Sequence, residues 1–557
     1  MSGREKDQSW IREPRLWLIF LIYLLVGGIS FNRSLFLSEE GYHLYFAWLL
    51  ARGDKLYRDF QLLLPPFSYL VKAGLIKIFG FQLIVLRIYT VLLGILGFFC
   101  IAYLSRKVVS SRFWLLGPCL YIFYSNNLLN FAHYSIDSRV FWLISFSLFL
   151  AWAETRKLSL IFLSGFFAGM TSLSYQTFIF LFPAELLGVF WLLRKGSAWR
   201  IALLVFLAGF LILPAIWGIY LVRSHLVMES FQALILAGAI KRYNFKILLN
   251  LIYPGIIISA IITILLKKLR GFSKMSKILL AFLLILLLIL ARVFSPAKLA
   301  EAGRDFLILG PHLVSLILPV ALFALAGLQL VETKAGKIPM LAFIISVLFF
   351  GIGPVSGYDL AHNLSNSILI LPWIGFLAQS WKESSRRTWL GISPAGMILI
   401  LFLFGTGIFL FLTRWELNGE VEPIYRATAR LDLESARWIY TSEENKQDLE
   451  RLVKEIQKRT GPEDKILVYP HHLLIYPLAG RVSFTGRSYF YFELADQKEL
   501  ERAVDLALKD KTLVIFQLKN GKIFQPMASE KADQLIEKLI LSCREKILLK
   551  NYLICDL

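Results

Sequence analysis

Apolar runs close to membrane length recur along this chain with short basic segments between them, a pattern that predicts a polytopic bundle of membrane-spanning helices. About thirteen such runs are expected, over residues 16–31, 84–104, 113–129, 140–152, 158–173, 178–193, 201–221, 247–266, 278–291, 306–331, 338–352, 364–378 and 390–412. With the N-terminus inside, every inner loop is basic. These loops receive Arg106-Lys107 with Arg112, Arg156-Lys157, Arg194-Lys195 with Arg200, and the cluster Lys267, Lys268, Arg270, Lys274 and Lys277. Next come Lys334 with Lys337, then Lys382 with Arg386-Arg387. Such a bias orients membrane proteins with the basic loops in the cytoplasm, and an odd number of spans then places the C-terminus outside.

The pattern changes at two places. Between the first two runs, residues 32–83 form a long polar outer segment carrying Glu39, Glu40, Asp54, Arg58 and Asp59. Its stretches 42–51 and 67–79 read as amphipathic helices lying along the interface, with Lys72 and Lys77 snorkelling to water. From about residue 413 the chain turns soluble in character. There 431–458 reads as an amphipathic helix, 465–469 and 512–516 as strands, and 497–508 as an intervening helix, which predicts a small α/β domain. The expected division is a transmembrane unit, 1–412, and an extracytoplasmic α/β domain, 413–557. No Gly-rich phosphate loop assigns the latter a nucleotide.

Composition confirms the class. Of 557 residues, 57% are hydrophobic and 18% charged, far more apolar surface than one soluble core buries. The net charge of +21 resides in the inner loops, so it argues for orientation in a membrane and against a nucleic-acid partner. Arg4, Lys6, Arg12 and Arg15 precede the first run without a small-residue cleavage site after it, which reads as a retained anchor. None of the four cysteines has metal-ligand spacing, and Cys543 and Cys555 can bridge only if the tail is exported.

Acidic groups at a membrane boundary are costly to desolvate and so mark chemistry or ion handling by default. Group transfer outside the membrane needs a donor that is itself a lipid, a base for the acceptor proton, and cations for the departing phosphate. Glu39, Glu40 and Asp137 are the candidate acids, and Arg58, Arg139, Lys241, Arg242, Lys298, Arg304 and His362 the candidate phosphate partners. Simpler readings stand beside these. The glutamates can be solvated residues ending a span, Asp137 can cap a helix beginning near Val140, Arg58 and Asp59 can pair structurally, and His133, His362 and His471-His472 can be loop or surface-turn residues.

The runs 38–45 (SEEGYHLY), 53–60 (GDKLYRDF), 65–70 (PPFSYL) and Leu86-Arg87 resemble the start of the polytopic lipid-phosphate-sugar glycosyltransferases, the C-type fold. That superfamily includes protein O-mannosyltransferases and the lipid A aminoarabinose transferase. The run 131–139 (FAHYSIDSR) resembles their second outer loop, and 465–481 (KILVYPHHLLIYPLAGR) the outer domain of bacterial members. The resemblance implies transfer of a sugar from a polyprenyl-phosphate donor to an acceptor hydroxyl on a lipid, glycan or protein, with inversion. It puts Glu39 in the place of the general base, Glu40 in that of the acid after it, and Asp137 in that of the second-loop acid. Leu63-Leu64 stands where some relatives place a metal-binding pair, so no cofactor is implied and a divalent metal is left open. A lipid-linked sugar flippase and a non-catalytic envelope scaffold are the alternatives; the clustering of acids at the outer boundary, without internal repeats, argues against a transporter.

Overall fold

The computed structural model describes residues 10–125, 131–193, 198–233, 338–346, 367–384, 394–413, 421–483, 497–519, 521–525 and 530–557, with a few helical positions between 322 and 330. The expected spans 247–266 and 278–291, most of 306–331, and parts of 113–129, 338–352, 364–378 and 390–412 lie outside the described residues, as does the basic cluster Lys267 to Lys277.

Proline at the first turn, where its missing N–H costs nothing, starts helix α1 at Pro14–Ser30. The polar segment after it contains α2 (Glu39–Arg52) and α3 (Phe67–Phe79). Two glutamates in the first turn of α2 and an arginine in its last match the helix dipole, and Gly53 in the left-handed conformation (φ 101°) ends it. Then follow α4 (Leu83–Val108), α5 (Leu116–Tyr124), α6 (Tyr134–Thr155), α7 (Leu158–Ser174), α8 (Phe182–Leu193) and α9 (Ala198–Arg223). Of the described helices, α4, α6 and most of α9 are long and apolar enough to cross a membrane, and five shorter helices are also apolar. Helices α10 (Leu371–Ser384) and α11 (Pro394–Thr413) pack against α5.

After α11 comes a mixed α/β unit. Strands β1 (Ala429–Arg430) and β2 (Tyr440–Thr441) form an antiparallel ribbon, followed by α12 (Glu443–Arg459). The main sheet comprises β3 (Lys465–Tyr469), β4 (Val482–Ser483), β5 (Leu513–Lys519), β6 (Lys522–Ile523), β7 (Glu545–Leu548) and β8 (Tyr552–Asp556). Its order is β4-β3-β5-β8-β7 with β6 on β5. Strands β4, β3 and β5 run parallel, and β8 and β7 continue antiparallel. Helices α13 (Ile475–Ala479), α14 (Gln497–Asp510) and α15 (Glu530–Leu541) connect the strands. Successive β3 residues bury alternately in two cores: Ile466 and Val468 with α12 and α2, Leu467 and Tyr469 with α14 and α15. Burial on both faces is why this strand is a continuous apolar run. The helix expected over 431–458 is instead α12 alone, because Leu431 donates to Ile439 O and closes the ribbon before it.

The α/β unit is joined to the segment entering α2. Tyr440 N donates to Asn32 O at 2.8 Å, Ser34 N to Tyr440 O at 2.8 Å, and Leu474 N to Leu37 O at 3.3 Å. Tyr45 stacks on Tyr476 with ring centroids 4.7 Å apart, and its hydroxyl accepts from Ser483 N at 3.0 Å.

Candidate active site

Residues 31–38 bring the chain from α1 to α2 and deliver Glu39 and Glu40 as the first two residues of a helix. Because each helical residue rotates by about 100°, the two carboxylates leave α2 in different directions. Glu40 enters a fully buried bidentate pair with Arg87 of α4: Nε donates to Oε1 at 2.9 Å and Nη2 to Oε2 at 2.7 Å. Arg87 also donates to the carbonyls of Phe31, Arg33 and Ser34 at 3.4, 3.2 and 2.8 Å. Glu40 is thereby part of the fastening between α1, α2 and α4.

Asp137 lies in the first turn of α6, whose N-cap is His133, so no helix beginning near Val140 exists for it to cap. Its carboxylate is buried and accepts from Ser68 Oγ and Lys72 Nζ of α3. The expectation that Lys72 snorkels to water is therefore corrected. Its ammonium is wholly buried, 2.6 Å from Ser68 Oγ and 5.9 Å from the centre of the Tyr89 ring. A charge on α6 outweighs the interfacial preference of the stem, because an ammonium beside a buried carboxylate compensates it.

The candidate phosphate partners divide. Arg58 is exposed and pairs with its neighbour Asp59, Nε to Oδ1 at 2.9 Å. Hydrogen bonds from Arg58 and then from the Lys55 amide hold that carboxyl below its ordinary range. Arg139 is buried, donating to Ser135 O at 2.6 Å and Ser135 Oγ at 2.8 Å. Lys241, Arg242, Lys298, Arg304 and His362 lie outside the described residues. His471 is buried rather than at a surface turn, with His472 bonding Tyr552 OH at 3.0 Å.

Glu39 differs from the other two acids. Its side chain is 39% exposed, and Oε2 lies 3.8 Å from His43 Nε2 and 3.7 Å from His133 Nε2. Both rings are buried and perpendicular, with centroids 4.4 Å apart. Behind His43, Nδ1 is 2.9 Å from the Tyr69 hydroxyl; behind His133, Nδ1 accepts from the Ser135 backbone N–H at 3.1 Å and contacts Ser135 Oγ. Burial first, then nearby ionisable groups, push the Tyr69 hydroxyl far above its ordinary range, so it remains a protonated donor. Tyr134 closes one side, 4.8 Å from His43 and 4.3 Å from His133 between centroids. One carboxylate and two imidazoles within 4.8 Å of one another are ligand types that hold divalent ions.

Sequence reading did not single out His43, Tyr69, Lys72 or Arg87 as part of this assembly. A signal existed for His43, since four residues after Glu39 is the same helix face. The others depend on pairings between separate helices.

No family model matches the chain, and no curated protein matches by sequence. Among solved structures, apo ArnT from Cupriavidus metallidurans superposes with a TM-score of 0.55 at 12% identity, covering 98% of each chain. ArnT from the same organism bound to undecaprenyl phosphate gives 0.49 at 12% identity, over 97% of this chain and 98% of that one. The oligosaccharyltransferase of Archaeoglobus fulgidus, tethered to an acceptor peptide, gives 0.48 at 12% identity, over 91% of this chain and 70% of that one. The match along the whole of apo ArnT establishes a C-type glycosyltransferase fold, and the chain is a membrane protein.

Proposed function

We propose that this membrane protein of C-type fold is an inverting glycosyltransferase that moves a sugar from a polyprenyl-phosphate donor to an acceptor hydroxyl outside the membrane, with Glu39 as general base. One observation carries the reading. Of the three candidate acids, Glu40 and Asp137 are each held by a buried cation, whereas Glu39 is partly exposed to solvent beside the rings of His43, His133 and Tyr134. In the reaction Glu39 takes the acceptor proton as the hydroxyl oxygen forms its bond to the anomeric carbon from the face opposite the phosphate. The bond from that carbon to the phosphate oxygen breaks, and polyprenyl phosphate leaves with the electron pair. Arg58, in the same segment as Glu39, and Arg139, on α6, are with Arg304 and His362 the proposed phosphate partners.

The exterior placement is supported by the basic inner loops and by the bond between Cys543 and Cys555, since disulfides persist in oxidising compartments. Because the α/β unit that carries this bond joins the segment entering α2, it shares a side of the membrane with Glu39. Cytosolic nucleotide sugars are absent there, hence the lipid-linked donor.

Glu39→Gln preserves shape but cannot take a proton, so turnover should fall by about 10²-fold or more at parental expression. Purified protein should consume a polyprenyl-phosphate sugar and ignore nucleotide sugars. Near-parental transfer by Glu39→Gln would remove Glu39 from the role.

A further inference from the structure

We infer that His43 and His133 serve Glu39 as N–H donors that fix its carboxylate, and are not the ligands of a metal ion. The inference rests on the reading of Glu39 as the base. Separation alone does not decide between the two arrangements. Ligand atoms around a tetrahedral ion with bonds of about 2.0–2.2 Å stand roughly 3.3–3.6 Å apart, and Oε2 is 3.8 and 3.7 Å from the two Nε2 atoms. A small shift would close either a metal site or a hydrogen-bonded cluster.

The hydrogen bonds behind the rings do decide. An imidazole that binds a metal through Nε2 carries its proton on Nδ1 and donates it to a carboxylate, carbonyl or water. His133 Nδ1 instead faces the Ser135 backbone N–H at 3.1 Å, a group that can only donate. The Ser135 hydroxyl already accepts from Arg139 Nη2 at 2.8 Å, which leaves its own proton directed to the same Nδ1. Nδ1 of His133 is thus an acceptor, and its proton sits on Nε2, facing Glu39. For His43 the partner is the buried Tyr69 phenol, whose hydroxyl lies 2.9 Å from Nδ1. A buried O–H that donates to nothing is costly, so Tyr69 donates to Nδ1 and the His43 proton also lies on Nε2.

Two N–H groups therefore converge on one carboxylate oxygen. They stand beyond hydrogen-bond length in this state, each neutral ring turning its N–H dipole toward the oxygen, a geometry that catalytic groups commonly tighten when substrate arrives. On this account His43 and His133 are positioning residues for the base. Arg139 acts one step further back, by directing the Ser135 hydroxyl.

Glutamine places its amide N–H where Nε2 of histidine lies but is a poor ligand for zinc or manganese. His43→Gln and His133→Gln should therefore stay close to parental transfer, while His43→Ala and His133→Ala lose about 10- to 100-fold. Calorimetric titration of the purified full-length protein with Zn²⁺ and with Mn²⁺ should show no stoichiometric binding that His133→Ala abolishes, and chelator should leave transfer unchanged. Stoichiometric binding that depends on these histidines, transfer lost to chelator, or glutamine variants as weak as the alanine ones would each overturn the inference. The titration needs no turnover, and absence of stoichiometric binding to the parental protein needs no variant, so it reads the metal question even if Glu39→Gln shows that Glu39 is not the base.

Discussion

Glu39 and Glu40 are neighbours in sequence with opposite surroundings, and their substitutions should separate accordingly. Glu40→Gln leaves the Arg87 guanidinium buried without its counter-charge. Losing one partner of a buried pair costs about 3–5 kcal/mol, so this variant should unfold at a clearly lower temperature in detergent, whereas Glu39→Gln, half-exposed, should unfold with the parent. Equal unfolding temperatures for Glu40→Gln and the parent would refute the structural role of the pair. The adjacency of the two acids is legible in the sequence, and so is the shared helical face of Glu39 and His43. Which glutamate opens to solvent is not, because it depends on where α4 brings Arg87, 47 residues further along. The same holds for Lys72, whose amphipathic helix predicts snorkelling until Asp137, 65 residues away, arrives beside it.

At the scale of elements, the controlling piece is the short segment 31–38. Ser34 adopts a left-handed backbone (φ 65°) that a non-glycine residue rarely takes. It is held there by Tyr440 O on its N–H, Glu422 O on its hydroxyl and Arg87 on its carbonyl. Within the first turn of α2, Gly41 lies so close to the α/β unit that a Cβ would overlap the Leu474 backbone nitrogen, which has no flexible end to move. Gly41→Ala should therefore loosen the unit from α2, speeding proteolysis of the region after α11 and lowering transfer while Glu39 is intact. Gly28→Ala, with open space around its Cβ, is the matched control and should change neither. Unaltered protease resistance in Gly41→Ala would mean that this contact does not fasten the two parts. Local pattern sufficed for β3 and α14, whose alternation and helical period lie within one segment. It failed over 431–442, where β2 pairs with β1 and bonds back to residues 32–34, some four hundred positions earlier.

At the scale of the whole molecule, the segment of residues 32–83 and the α/β unit share, among the described residues, a continuous core running from Leu44 and Tyr45 through Ile466 and Tyr476. Hydropathy marks the described apolar helices from sequence because membrane insertion acts on each run locally, and the basic loops supply an expected orientation that only labelling can test. The docking of residues 32–45 on a domain four hundred residues away has no such local signature. It does tie the two topological questions together, since whichever side holds the tail also holds Glu39. The disulfide between Cys543 and Cys555, twelve residues apart, makes that side testable. In a variant without Cys100 and Cys119, an impermeant thiol reagent added to intact cells should label nothing until an impermeant reductant opens the bond, after which both tail cysteines react. A lone cysteine at Ser273, in the most basic loop, should stay unlabelled until the cells are permeabilised. Labelling at Ser273 in intact cells, or tail cysteines that react only after permeabilisation, would place Glu39 in the cytoplasm, where nucleotide sugars are present, and the case for a lipid-linked donor would fall with it.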